Sequence, residues 1–157
     1  LHSTREAPEG VIVAVENMYP RWVGGRRVKA YRWTDPRELI RAAAHVVLDV
    51  SHLTVARHDV LTGYEVLRPK LVHVHLSNNA GDGRDGHLPL EEGIVPIDAL
   101  LAEMRRTDYA GGVSLELSVR RYLERPEDLV TTLRQNREYV QHMLSRHGRP
   151  AKELPGS

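Results

Sequence analysis

Leu71–Leu76 reads LVHVHL, and His45–Val50, one unit upstream, reads HVVLDV. Both stretches are short, rich in β-branched residues and almost continuously apolar. That is the pattern of parallel strands buried on both faces, not of strands with one wet face. Working outward, Val11–Glu16 (VIVAVE) and Gly112–Leu117 (GVSLEL) repeat it. Each of the four carries a metal-capable side chain close to its C-terminal end: Glu16, Asp49, His75 and Glu116.

Helical patterns separate these segments. Asp35-Pro36 supplies a capping residue and a first-turn proline leading into Arg37–Ala44. One further helix is expected within Thr54–Arg68. Ile97–Arg106 places Ile97, Leu100, Leu101 and Met104 on one helical face. Arg125-Pro126-Glu127 opens a last helix, with Leu129, Leu133, Tyr139, Val140 and Leu144 as its core-facing stripe. The order βα, four times over, predicts an α/β fold with a parallel sheet and right-handed crossovers. Neither a glycine-rich dinucleotide fingerprint nor a phosphate loop follows any strand. A whole (β/α)8 TIM barrel takes about 250 residues. Four units in 157 residues are therefore expected to form half of one. Residues 1–147 are assigned to this half-barrel and residues 148–157, with Pro150, Pro155 and Gly156, to a flexible tail.

The composition agrees with one globular domain: 41% of residues are hydrophobic and 27% charged. No apolar run approaches the roughly 20 residues that span a bilayer, so no membrane association is expected. The absence of cysteine excludes disulfides and thiolate metal sites and fits a cytoplasmic location. With 22 basic and 21 acidic residues the net charge is +1, which leaves no electrostatic footprint for nucleic acid over the whole chain. Arg26-Arg27 and Arg120-Arg121 read as solvated surface.

The strand-end residues carry the chemistry. Strand parity puts Glu16 on the face of Ala14, Asp49 with Val47, His75 with His73, and Glu116 with Ser114. If that face points inward, all four tips converge at the C-terminal mouth, where barrel active sites lie. Three carboxylates beside an imidazole in a partly dry site repel one another unless their pKa values rise or a cation sits among them. Such a set suits one divalent cation: Mn²⁺, Mg²⁺, Co²⁺ or Zn²⁺. A lone strand-end acid is more often a cap or an ion pair; recurrence at four successive strand ends is what favours a metal. Glu16 and Glu116, near opposite ends of the half-ring, are placed to flank a substrate. His52 lies just past a strand end and can reach the same mouth. Asp85 and His87 sit in the glycine-rich run GDGRDGHLPLEEG, where a solvated turn is an equal alternative. His73, one layer deeper, is expected to be a hydrogen-bonded core residue. Trp22, Tyr31 and Trp33 lie in the loop after Glu16 and could cover a bound ligand, although loop packing is the simpler expectation.

The runs VAVENM (Val13–Met18), LDVSHL (Leu48–Leu53), VHVHLSNN (Val72–Asn79), DGHLPLEEG (Asp85–Gly93) and YAGGVSLEL (Tyr109–Leu117) together resemble the C-terminal half of the xylose isomerase-like barrel superfamily. That superfamily includes sugar isomerases and epimerases and the type IV apurinic-site endonucleases. The resemblance implies a sugar or sugar-phosphate isomerase/epimerase. Glu16, Asp49, His75 and Glu116 would bind one divalent metal, acting as a Lewis acid on an enediolate. Glu16 and Glu116 would serve as catalytic acid and base, with His52, Asp85 and His87 touching the substrate. In the endonuclease branch His52, Asp85 and His87 match further zinc ligands, so a metal-dependent phosphodiesterase is the alternative. Other reactions on this scaffold are dehydration of a cyclic polyol and isomerisation of a hydroxy-keto acid. The family's Gly-x-Gly after the loop histidine is altered here to Glu91-Glu92-Gly93. A half-barrel leaves two open sheet edges, so the chain is expected to be marginal or inactive alone, to form a homo-oligomer, or to pair with a missing N-terminal half.

Overall fold

A computed structural model of the chain describes residues 8–145. Four strands make one parallel sheet in the spatial order β1-β4-β5-β6: β1 (Val15–Glu16), β4 (Val46–Asp49), β5 (Leu71–Leu76) and β6 (Gly112–Leu115). A separate antiparallel pair, β2 (Arg21–Val23) and β3 (Arg26–Val28), rises from the loop after β1. Its two-residue turn is Gly24-Gly25, both at positive φ (55° and 74°), as a tight hairpin matched to strand twist requires. Five helices complete the order: α1 (Pro36–Ala42), α2 (Val50–Val55), α3 (Val60–Leu67), α4 (Ile97–Arg106) and α5 (Pro126–Leu144). The parallel α/β half-barrel expected from the sequence is what forms.

The helix expected within Thr54–Arg68 forms as α3, and a short α2 not expected from the sequence precedes it. Arg57 adopts φ 62°, which ends α2, and Asp59 starts α3 by accepting the Thr62 N–H at 2.8 Å. The first strand is also shorter than expected. Val11, Ile12 and Val13 lie outside the ladder and are 54–63% exposed, because no strand pairs with β1 on that side among the described residues.

The core lies between the helices and one face of the sheet. Val46, Leu48, Val74 and Leu76 are fully buried there, against Leu39, Leu53, Tyr64, Leu67, Leu100, Leu101 and Met104. The opposite face carries Val47, His73, His75 and Ser114, all partly open. The expected parity therefore holds, with apolar residues toward the helices and polar ones toward the barrel interior. Gly112 admits the His73 ring, since a Cβ there would lie 2.5 Å from Nδ1. Of the stripe expected on α5, Val140 is buried, and Tyr139 and Leu144 pack against the core. No described helix is long and apolar enough to cross a membrane. The tail assigned to residues 148–157 lies outside the described residues.

Candidate metal centre

Backbone register sets the heights of the four strand-end residues. Asp49 pairs with His75 and His75 with Ser114, while Glu16 is level with Val47. Glu116 lies one residue past β6, yet its N–H still donates to the Leu76 carbonyl at 3.1 Å, extending the ladder. The side chains converge on one imidazole nitrogen. His75 Nδ1 lies 3.1 Å from Glu16 Oε1, 3.2 Å from Glu116 Oε1 and 3.9 Å from Asp49 Oδ2. Ligand-capable atoms of Glu16, Asp49 and His75 lie within 4.8 Å of one another.

Asp49 is fully buried. It ends β4 and caps α2, with Oδ1 accepting the His52 N–H at 2.7 Å. Its other oxygen, Oδ2, is buried and accepts no hydrogen bond among the described residues. Burial pushes this carboxyl up to about 6, against the opposing pull of His52. A buried carboxylate oxygen without a partner, 3.9 Å from an imidazole nitrogen that two more carboxylates also approach, is what a bound cation would satisfy. The residues present therefore fit a divalent ion.

A second group lies alongside. His52 Nδ1 is 2.9 Å from the Asn17 carbonyl and 3.4 Å from Glu16 Oε1, and its Nε2 is 3.2 Å from Asp85 Oδ2. Burial works to lower the His52 pKa, but the hydrogen bond to Asp85 and the nearby Asp49 and Asp85 charges outweigh it and hold it at about 9. Asp85 is no solvated turn residue. It accepts from Ser51 Oγ at 2.8 Å and lies 3.1 Å from His87 Nε2. Burial opposes its ionisation, yet the bonds from His52, His87 and Ser51 hold it far below the usual carboxylate range. The same Asp85 bond raises His87, whose Nδ1 also meets Ser77 Oγ at 3.2 Å and lies 3.8 Å from Glu116 Oε2. Atoms of Asp49, His52 and His87 come within 4.8 Å of one another, so the two groups share Asp49. All seven candidate residues thus gather at one mouth.

His73 stays one layer below. Its Nε2 bonds Ser114 Oγ at 2.7 Å, and its ring sits edge-on to His75. Burial and the neighbouring His75 lower its pKa. Trp33 packs against the core and Tyr31 against Tyr19, so these aromatics act as loop packing; the Trp22 side chain lies outside the described residues.

Several supporting residues carry no chemistry-bearing signal in the sequence. Asn17, fully buried, clamps Asp49 by donating from Nδ2 to its carbonyl (2.9 Å) and accepting its N–H (2.8 Å). Asn79 Nδ2 donates to Ser51 Oγ and to the Arg84 carbonyl. Tyr19 lays its ring on His52, centroids 4.7 Å apart. The signal that could have found Asn79 is the amide pair Asn78-Asn79 just past an apolar strand, whereas Asn17 carries no such signal. In the altered loop, Glu91 accepts from Asn136 Nδ2 at 2.9 Å, tying the loop to α5.

The chain is 33% identical over 156 residues to an uncharacterized protein of Mycobacterium leprae, covering 86% of this chain and 56% of that protein. It is 33% identical over 131 residues to an uncharacterized protein of Mycobacterium tuberculosis, covering 72% of this chain and 47% of that one. It thus spans about half the length of these relatives. A crystal structure of a D-tagatose 3-epimerase-like protein superposes with a TM-score of 0.57 at 24% identity, over 83% of this chain and 50% of that one, a likeness of fold. The profile of the xylose isomerase-like TIM barrel matches residues 4–141, nearly the whole of the four βα units, and the chain belongs to that family.

Proposed function

We propose that the chain carries the metal-holding half of a sugar or sugar-phosphate isomerase/epimerase. The observation that carries this reading is the buried Asp49 Oδ2, without a hydrogen-bond partner among the described residues, 3.9 Å from the His75 Nδ1 on which Glu16 and Glu116 also converge. The family and the epimerase-like fold neighbour support the reaction class. Glu16, Asp49, His75 and Glu116 would hold one divalent cation, Mn²⁺, Mg²⁺, Co²⁺ or Zn²⁺. When bound, it supplies Lewis-acid stabilisation of negative charge developing on a substrate carbonyl oxygen. Glu16 and Glu116 approach His75 from opposite ends of the sheet order, and their side chains remain 31% and 39% exposed. That placement suits one for removing a proton from the carbon next to the carbonyl and the other for returning it from the far side. His52, fixed through both ring nitrogens, forms with Asp85 and His87 the wall against which the substrate chain is oriented.

The second group of Asp49, His52 and His87 favours an alternative, a multinuclear phosphodiesterase like the apurinic-site endonucleases. Against it, both His52 nitrogens face acceptors, Asn17 O and Asp85 Oδ2, so His52 sits as a hydrogen-bond donor with no lone pair directed at a cation.

Elemental analysis of purified protein tests the reading. Bound divalent metal near one equivalent is expected in the parent chain and near zero in Glu16→Gln and Glu116→Gln. Unchanged metal content in both variants sinks the site assignment. Ketose epimerisation with Mn²⁺, set against nicking of abasic duplex DNA, separates the two reactions. Both assays belong on the chain alone and on the chain supplemented with the complementary half of a family barrel.

A further inference from the structure

Pairing between β1 and β4 ends at Glu16 and Val47, and the Asn17 N–H adds a long last bond to the Val47 carbonyl at 3.3 Å. One residue later the chain has left the sheet, since the Met18 N–H donates to the Trp33 carbonyl at 2.6 Å. The next ladder position on β4 is Asp49. Its N–H and carbonyl are met instead by the Asn17 side chain, where Oδ1 accepts at 2.8 Å and Nδ2 donates at 2.9 Å. A side-chain amide offers the same donor and acceptor as a peptide group, so Asn17 stands in for the strand residue that the departing chain does not supply. Its own carbonyl lies 2.9 Å from His52 Nδ1. One fully buried residue thus ties Glu16, its chain neighbour, to Asp49 on β4 and His52 on α2. The tie matters because Glu16 ends a strand of only two residues at the edge of the sheet. Ligand spacing in a cation site is as firm as the elements that carry the ligands. Firmly spaced ligands favour small divalent ions that demand regular geometry, whereas the larger Ca²⁺ tolerates irregular and flexible arrangements.

We propose that Asn17 is a positioning residue that sets which cation the site prefers: by locking Glu16 to Asp49 it holds the ligands at the spacing of a small ion such as Mn²⁺ and disfavours Ca²⁺. This rests on the reading of Glu16, Asp49, His75 and Glu116 as the ligands of one cation, and adds to it a residue that selects the ion without touching it.

The test is calorimetric titration of the metal-stripped full chain with Mn²⁺ and with Ca²⁺, together with amide hydrogen exchange of the same protein without metal. In Asn17→Ala the Asp49 amide should exchange about tenfold faster or more, the loss of a buried hydrogen bond. Mn²⁺ binding should weaken by about tenfold or more and Ca²⁺ binding by about threefold or less, so that the preference for Mn²⁺ shrinks. Tyr64→Phe removes the bond between Tyr64 and Thr107 in the helical layer and serves as the control for plain destabilisation. It should leave the Mn²⁺-to-Ca²⁺ ratio at the parent value. If Asn17→Ala does not fold, Asn17→Ser takes its place, with a polar group in the pocket that is too short to bond both Asp49 peptide groups. An unchanged ratio in the Asn17 variant overturns the proposal, as does an Asp49 amide that keeps its protection there. A ratio moved as far by Tyr64→Phe as by Asn17→Ala overturns it too. A parent chain that binds neither ion, or Glu16→Gln binding Mn²⁺ as the parent does, fails the metal-site reading and takes the inference with it. An unchanged ratio in protein that binds Mn²⁺ through Glu16 overturns the inference alone.

Discussion

Asp49 does three jobs with one side chain and its backbone. Oδ1 caps α2, the peptide groups are clamped by Asn17, and Oδ2 is left buried with no donor among the described residues. Burying an ionised carboxylate without compensation is unfavourable, which is why its pKa is pushed up to about 6. Metal-free protein at neutral pH therefore carries a destabilising charge at this position. Asp49→Asn keeps an acceptor for the His52 N–H and removes that charge. Metal-free Asp49→Asn is expected to melt no lower than the parent at neutral pH, whereas the rise in melting temperature on adding Mn²⁺ should vanish. A metal-free variant several degrees less stable, or one still stabilised by Mn²⁺, contradicts this account of Oδ2. The residue types of the site were legible because Glu16, Asp49, His75 and Glu116 recur at equivalent strand positions. Asn17 was not legible: its role is a pair of hydrogen bonds to a backbone 32 residues away, and nothing local in VAVENM encodes that.

At the scale of elements, caps and glycines set where the loops place their side chains. Asp59 accepts the Thr62 N–H at the start of α3, and these bonds lower its pKa. Because the folded value lies below the unfolded one, the cap stabilises fully above the ordinary carboxylate range and fades as pH falls through the folded value. Asp59→Ala is expected to destabilise by about 1 kcal/mol near pH 7. The gap between variant and parent should narrow as the pH drops through the acid range, and a gap independent of pH in denaturant titrations would exclude a charged cap. Gly93 is placed differently. It holds φ 137°, and a Cβ would collide with Asn78 Oδ1 and come within 2.5 Å of the Asn79 carbonyl. Asn78 accepts from the Val95 N–H and donates to the Leu90 carbonyl, so it pins the loop that carries Asp85 and His87. Gly93→Ala is expected to cost about 1 to 3 kcal/mol and to weaken Mn²⁺ binding as well, measured by melting with and without the ion. α1 could be read from its capping Asp35 and first-turn Pro36, and α4 and α5 from their apolar spacing. The β2–β3 hairpin is hard to read although Gly24-Gly25 marks its turn, because its strands are only three residues each. α2 was not legible, because Val50–Val55 follows β4 with no glycine or proline between them, and the turn at Arg57 that ends it carries neither.

For the whole molecule the governing fact is that the sheet has two edges. β1 pairs on one side and β6 on one side among the described residues. Beside β1, Val11, Ile12 and Val13 are more than half exposed. Beside β6, a cavity of about 980 Å³ is lined by Val113, Leu115, Leu133, Val140 and Leu144. Unpaired strand edges flanked by apolar surface favour association, because a second polypeptide satisfies the backbone groups and covers the surface together. A closed eight-stranded arrangement needs four more strands between β6 and β1. The candidate centre sits on the face that such strands would roof, so on the proposed reading turnover depends on closure, while the proposed cation site needs only residues already present. The chain is therefore expected to self-associate with rising concentration in sedimentation equilibrium. Ile12→Lys, at a side chain 63% exposed, should weaken that association without lowering the Mn²⁺ content of the monomer. A compact monomer that melts cooperatively at every concentration, in parent and variant alike, would show that the open edges are tolerated and that closure has no energetic pull.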